Sequence, residues 1–336
     1  MPLPQAKSRE SPAIPSQEHN VTTTPDQKTG NTGRLGDRIF FGLSWAGGAT
    51  ILAVLAFVAA FLVIQSLPAI MPETFGIGAQ ETSSFWSYVW PLTVGTVIAS
   101  VIALTLATPV AIGVALFISH YVPRRFATSI GYLIDLLAAI PSVVYGAWGM
   151  LVLAPAMVPI YRWLHENLGF IPLFAADPTV TTTGRTILTS GVVLAVMVLP
   201  IITALCREIF LQVPKLHEEA ALGLGATRWE MIKMTVFPFA RAGIISSIML
   251  ALGRALGETM AVTMVLSAGG FSWSLVTSGA NATIPSEIAL NFPEAFGQRQ
   301  AELIAAGLML FIITLIVNVI ARYIVNTHAK KAEGLS

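Results

Sequence analysis

Charge is what this sequence has least of. Asp, Glu, Lys and Arg make up 11% of its 336 residues, against about 25% in an ordinary soluble domain. Hydrophobic residues make up 54% and the mean hydropathy is +0.73, which excludes a soluble globular chain and predicts a polytopic membrane protein. The net charge of +1 leaves no basic field for nucleic acid. One cysteine, Cys206, excludes an intrachain disulfide and any multi-cysteine metal site; it reads as a small packing residue. No G-x-x-x-x-G-K-[ST] run is present to cradle nucleotide phosphates. The nearest, from Gly223 to Arg228, lacks the lysine and the spacing. No Ser–His–Asp pattern occurs either. His19, His120, His165, His217 and His328 are too scattered for the close ligand spacing of a zinc motif. The chain is therefore expected to be no enzyme, to hold no metal and to need no cofactor.

The stretch before Arg34 is rich in Pro, Ser, Thr, Gln and Asn and too polar to bury a core, so residues 1–38 are expected to be a disordered tail. It lacks the apolar core of a signal peptide near its start, so the first hydrophobic segment is expected to be retained. A spanning helix needs about 20 mostly apolar residues. Six stretches qualify, at residues 39–67, 92–119, 126–160, 187–205, 243–266 and 303–320. The expected organisation is a first helix and outer loop over 39–91, a transmembrane core over 92–325 with a polar loop at 206–240, and a short tail over 326–336. The fold class is all-α.

Loop charges orient the spans. With the amino terminus inside, fifteen Lys and Arg residues fall on inner segments and only Arg162, Arg185 and Arg299 on outer ones. Such a bias predicts both termini in the cytoplasm. Trp86, Tyr88 and Trp90 before the second span, and Tyr161 and Trp163 after the third, read as aromatic anchors at the membrane interface. Pro109, Pro141 and Pro200 are expected to kink spans two, three and four. Asp135 falls about two turns into span three, where snorkelling or a polar contact is the favoured reading.

The loop between spans four and five is built rather than slack. Pro214 suits a helix start, Lys215 to Leu222 favour helix, and Gly223 and Gly225 supply the stop. Thr227 and Glu230 have capping-box spacing, so a second helix is expected to run on towards Pro238. The pattern Glu219-Ala220-Ala221, three residues, Gly225, nine residues, Thr235-Val236-Phe237-Pro238 resembles the EAA loop of permease subunits in binding-protein-dependent ABC importers. Thr235 and Phe237 depart from the Ile and Leu of that pattern. In that family the loop docks in a groove of the ATPase subunit, so the resemblance assigns ATPase coupling to Glu219, Ala220, Ala221, Gly225 and Pro238.

Two further runs, Leu136 to Gly146 and Leu252 to Val262, resemble stretches of phosphate-importer permeases of the PstC type. The resemblance covers about residues 92–320. It implies a type I ABC importer permease architecture in a bacterial or archaeal cytoplasmic membrane. The implied partners are a second related permease in a heterodimer, an ATPase dimer and an extracytoplasmic phosphate-binding protein. It points to Arg254, Glu258, Ser142 and Tyr145 as lining the substrate path. Four residues apart, Arg254 and Glu258 are expected on one face of span five, Glu258 about 6 Å further outward. A structural ion pair, internal or to the partner permease, and an electrostatic stop for phosphate are equally open readings. Gly253 and Gly257 are expected to let another helix approach closely. Alternative readings are a permease for molybdate, sulfate or another oxyanion, a proton-coupled secondary transporter using Glu258 and Asp135, and a non-transporting anchor or sensor.

Overall fold

The computed structural model describes residues 32–71, 85–176, 179–266, 271–279 and 281–333. The expected disordered tail lies outside them up to residue 31. Every regular element among the described residues is helical. Six helices are long and apolar enough to cross a membrane, as expected. The described residues fall into two compact units, which divide between Ala56 and Phe57. The first contributes the opening part of α1 (Thr32–Ile70), which begins inside the stretch expected to be tail.

The second unit is organised around α6 (Ile187–Leu211), the most enclosed of the spans. Its principal neighbour is α2 (Phe85–Leu116). Ala99, Ala103, Ala107, Ala111 and Ala115 recur every fourth residue on α2, and all are buried. A stripe of small side chains lets two backbones approach where water supplies no driving force. Gly191 on α6 completes the fit, since a Cβ there would lie 2.6 Å from Ile102. Cys206 is buried on the same helix, its Sγ 3.2 Å from Ser247 Oγ, in keeping with a packing role.

The third stretch is not one helix. It breaks into α3 (Arg124–Ala138), α4 (Ser142–Trp148) and α5 (Ala154–Leu168), with a π-helical turn at Gly149–Leu153. Pro141 does not kink a helix; it precedes α4, where its missing N–H costs nothing. Only residues 142–168 have the length and apolarity of a span. Asp135 lies outside that span, exposed on the amphipathic helix α3. Gly131 on α3 lies against the Arg207 guanidinium, 2.7 Å from a Cβ built there. Pro109 and Pro200 do lie within α2 and α6.

Of the two supposed belt tyrosines, one is a core residue and the other is half-buried. Tyr161 lies inside α5, fully buried, its hydroxyl bonded to Thr189 Oγ1. Tyr88 lies in the opening turns of α2, donates to Glu287 (3.2 Å) and sits under the Arg299 guanidinium (4.6 Å). Each has a polar tip that the fold satisfies internally. Trp86, Trp90 and Trp163 stay exposed, as interface anchors require.

The polar loop forms α7 (Lys215–Gly223) and α8 (Arg228–Met231). The second helix does not stop near Pro238. A π-helical turn at Ile232–Val236 widens the helix, and α9 (Phe237–Leu256) continues with Pro238 in its first turn. Because proline has no N–H to donate, the widened turn absorbs the lost bond. The fifth span is thus residues 228–256, and it ends ten residues before its expected limit. After a break at residues 257–259 come α10 (Met260–Val265), an extended return, α11 (Ile284–Asn291) and α12 (Gln298–Glu333). The last helix runs past residue 325 into the expected tail.

Candidate functional site: a helix–turn–helix loop and a broken charged helix

The α7–α8 element is a helix–turn–helix with two independent stops. Ala226 N–H bonds to Ala221 O (3.2 Å) and Gly225 N–H to Leu222 O (3.0 Å), a Schellman closure. That closure puts Gly225 at φ +90°, a conformation costing roughly 1–2 kcal/mol for a side chain with Cβ. Thr227 and Glu230 form the expected reciprocal capping box.

The geometry separates the five loop residues picked from sequence. Glu219, Ala220, Gly225 and Pro238 are exposed. Ala221 instead turns inward and is buried in the main core cluster. It anchors α7 and offers no surface to a partner. The exposed residues that sequence reasoning passed over are Leu216 and Leu224, at 74% and 90% exposure. Leu224 stands between two glycines at the tip of the turn, where no neighbour covers its side chain. A second omission is Glu218, whose Oε1 lies 3.6 Å from His120 Nε2 at the end of α2. That contact ties the loop to the bundle.

The charged helix differs from its expected form. Arg254 lies in the last turn of α9, exposed, and lines an open cleft of about 570 Å³ with Ile201, Ser246, Met249, Leu250, Gly253 and Asn318. No atom lies within 4 Å of a Cβ built on Gly253. Helix-on-helix packing there is absent in the described residues; the glycine opens the cleft instead. The helix ends at Leu256 with Gly257 as cap. Glu258 is consequently not one turn further along the same face. It is buried, and its Oε1 accepts a hydrogen bond from Ala261 N–H (3.1 Å) at the start of α10. Among the described residues no ion pair joins Arg254 to Glu258. The internal-pair reading fails on that geometry.

Tyr145 is half-buried on α4, within electrostatic range of the Arg254 guanidinium. Tyr145 donates to Leu137 O (2.9 Å), across the break before α4. Ser142 is half-buried at the first position of α4. An arginine that sequence reasoning assigned to an outer loop also enters the bundle. Arg185 donates to Met264 O (3.2 Å) and Leu266 O (2.8 Å). Nothing in its local sequence signals that contact, because its partners are backbone carbonyls about 80 residues away.

Residues 107–330 match the family described as binding-protein-dependent transport system inner membrane component. The chain belongs to that family. It is 41% identical over 302 residues to the phosphate transport system permease protein PstC 2 of Mycobacterium tuberculosis, covering 87% of this chain and 92% of that one. To PstC of Mesorhizobium japonicum it is 40% identical over 305 residues, covering 86% and 90%. The fold is shared with solved importers at low identity. A bacterial ABC transporter importing the polysaccharide alginate matches with a TM-score of 0.53 at 16% identity, over 88% of this chain and 99% of that one. The inward-facing methionine transporter MetNI gives 0.50 at 16%, over 74% and 99%. The protein is thus an importer permease with the type I architecture and a multi-pass protein of the cytoplasmic membrane. The family is one of membrane components rather than catalytic subunits. The secondary-transporter alternative loses its structural basis too, since Asp135 is exposed on α3 while Glu258 is buried at the start of α10.

Proposed function

We propose that this permease forms one half of a membrane path for inorganic phosphate, driven from the α7–α8 loop by a separate ATPase. The observation that carries the cargo is the identity of about 40% with two proteins named as phosphate transport permeases. The drive is supported by the exposed Glu219, Ala220, Leu224 and Gly225 at a rigid turn. An ATPase dimer, an extracytoplasmic phosphate-binding protein and a second, related permease complete the machine. The open cleft at Arg254 suits a half-path, because a side of it remains for a partner permease to close. The docking loop and both termini face the cytoplasm, in line with the basic bias of the inner segments.

Within the path, Arg254 offers phosphate a transient electrostatic stop. A guanidinium presents a planar fork suited to a tetrahedral oxyanion, and its position in an open cleft leaves those donors accessible. Tyr145 adds a hydroxyl nearby, and Ser142 lies one turn before it on the same helix. Glu258 acts by fixing the start of α10 rather than by neutralising Arg254 directly.

The test is uptake by the complete complex in proteoliposomes, with labelled phosphate, with and without ATP, and with molybdate and sulfate as competitors. ATP-dependent phosphate accumulation resistant to tenfold excess of either competitor is expected. Accumulation of another oxyanion in its place would reassign the cargo.

A further inference from the structure

The short helix α10 carries a charged side chain at each end, and the two come from different parts of the chain. At its start Glu258 Oε1 accepts from Ala261 N–H (3.1 Å). At its far end one guanidinium nitrogen of Arg185 donates to Met264 O (3.2 Å) and Leu266 O (2.8 Å). Negative charge at the first turn and positive charge at the last is the arrangement that the helix dipole favours. The two ends differ in what they hold. Glu258 is local to α10, whereas Arg185 stands two residues before α6, the most enclosed span.

The sides of α10 are equally confined. A Cβ on Gly146 of α4 would lie 2.7 Å from Ala261 Cα, and one on Gly149 would lie 2.9 Å from Val265. Val193 of α6 packs in the same cluster as Ala261 and Val265. On the other side of Glu258, residues 228–256 are continuously helical. At a rise of 1.5 Å per residue this makes a rod of roughly 40 Å. It starts at the α7–α8 loop and ends at Leu256, where Gly257 caps it with its N–H on Gly253 O. Among the described residues the Arg185 Nε is buried without a hydrogen-bond partner, and the two carbonyl contacts are the hydrogen bonds its guanidinium makes there.

We propose that Arg185 is the latch that fixes α10 to the start of α6, so that α10 keeps its place against α4 while the α7–α8 loop is driven. Arg185 is a positioning residue: it holds the carbonyl end of α10, and through α10 the wall formed by α4 with Tyr145. The inference rests on the reading of this chain as a permease driven through its α7–α8 loop. It does not depend on which oxyanion passes.

Hydrogen exchange of backbone amides in the full complex, held in lipid nanodiscs, tests this without reference to cargo. In Arg185→Gln the amides of α10, including Leu266 N–H on Val262 O, should exchange about tenfold faster, while α2 and the middle of α6 keep their rates. Arg185→Lys retains charge and a donor but ends one bond short, so an increase of about threefold is expected. If the Gln variant does not assemble, the Lys variant is read alone. Unchanged α10 exchange in the assembled variant overturns the latch. Acceleration spread over the whole bundle overturns it as well, because Arg185 would then be a general packing residue. A second readout separates coupling from folding: ATP hydrolysis without binding protein should rise about threefold or more in Arg185→Gln and return towards the parent rate in Arg185→Lys. Hydrolysis that stays at the parent rate in an assembled Gln variant counts against the latch. Should the parent complex fail to move phosphate, the cargo reading falls while the exchange result still decides this one.

Discussion

Arg254 and Glu258 are four residues apart in sequence but stand on opposite sides of a helix break. The arginine closes α9 and faces an open cleft; the glutamate is buried and caps α10. Two charges that a continuous helix would have stacked are given separate tasks by the two residues that follow Ala255, Leu256 and Gly257.

The charge swap decides whether these tasks are separate. Arg254→Glu combined with Glu258→Arg should not restore uptake, since arginine at 258 cannot accept the Ala261 N–H. Arg254→Gln should lower uptake at least 100-fold with assembly and ATP hydrolysis retained. Arg254→Lys should recover little of it, because the planar fork is lost. Near-parent uptake by the swapped double variant would return the pair to a structural role.

The docking loop separates into surface and scaffold. Leu224→Asp changes a side chain that is 90% exposed, so thermal stability should move by less than about 0.5 kcal/mol. ATPase pull-down by this permease should nevertheless fall about tenfold. Gly225→Asp should also weaken docking, but by straining a backbone held at φ +90°, at a cost of about 1 kcal/mol. If pull-down and uptake both survive Leu224→Asp, the tip of the turn is not the docking surface.

Topology has a direct measurement. In a Cys206→Ser background, a cysteine at the exposed Asn167 or Thr182 should react with an impermeant thiol reagent on intact cells. A cysteine at Leu224 should react only after permeabilisation. Reaction of the Leu224 position in intact cells would reverse the orientation.

The fit of α4 against α10 should be intolerant of volume. Gly146→Val places a branched side chain where a Cβ already lies 2.7 Å from Ala261 Cα, and overpacking of this kind costs roughly 1–3 kcal/mol. A lower melting temperature of the purified permease is expected, with uptake falling alongside it. Gly253→Val is the control: nothing lies within 4 Å of that position, so the melting temperature should hold.

Much of the loop was legible because its signals are local. Proline at the start of α7, glycine at its close and a Thr–Glu capping pair each act within four or five residues, and each appears in the structure where the spacing put it. The six apolar runs were legible for a similar reason, since lipid demands about 20 apolar residues whatever the tertiary contacts. Helix ends inside apolar stretches were not. No composition change marks the break at Gly257 or the one before Pro141, and none marks the π-helical turn that carries the chain through Pro238. Partners distant in sequence were invisible for the same physical reason: Tyr161 with Thr189, His120 with Glu218, and Arg185 with the carbonyls of Met264 and Leu266. By itself the sequence determined an all-helical membrane chain, its helix–turn–helix loop and the identity of its charged residues, because periodicity, capping and hydropathy are read over a few turns. Tertiary structure alone decided that Arg254 faces a cleft, that Glu258 and Arg185 hold the two ends of one short helix, and that Ala221 points inward, because each outcome depends on which helix lies alongside.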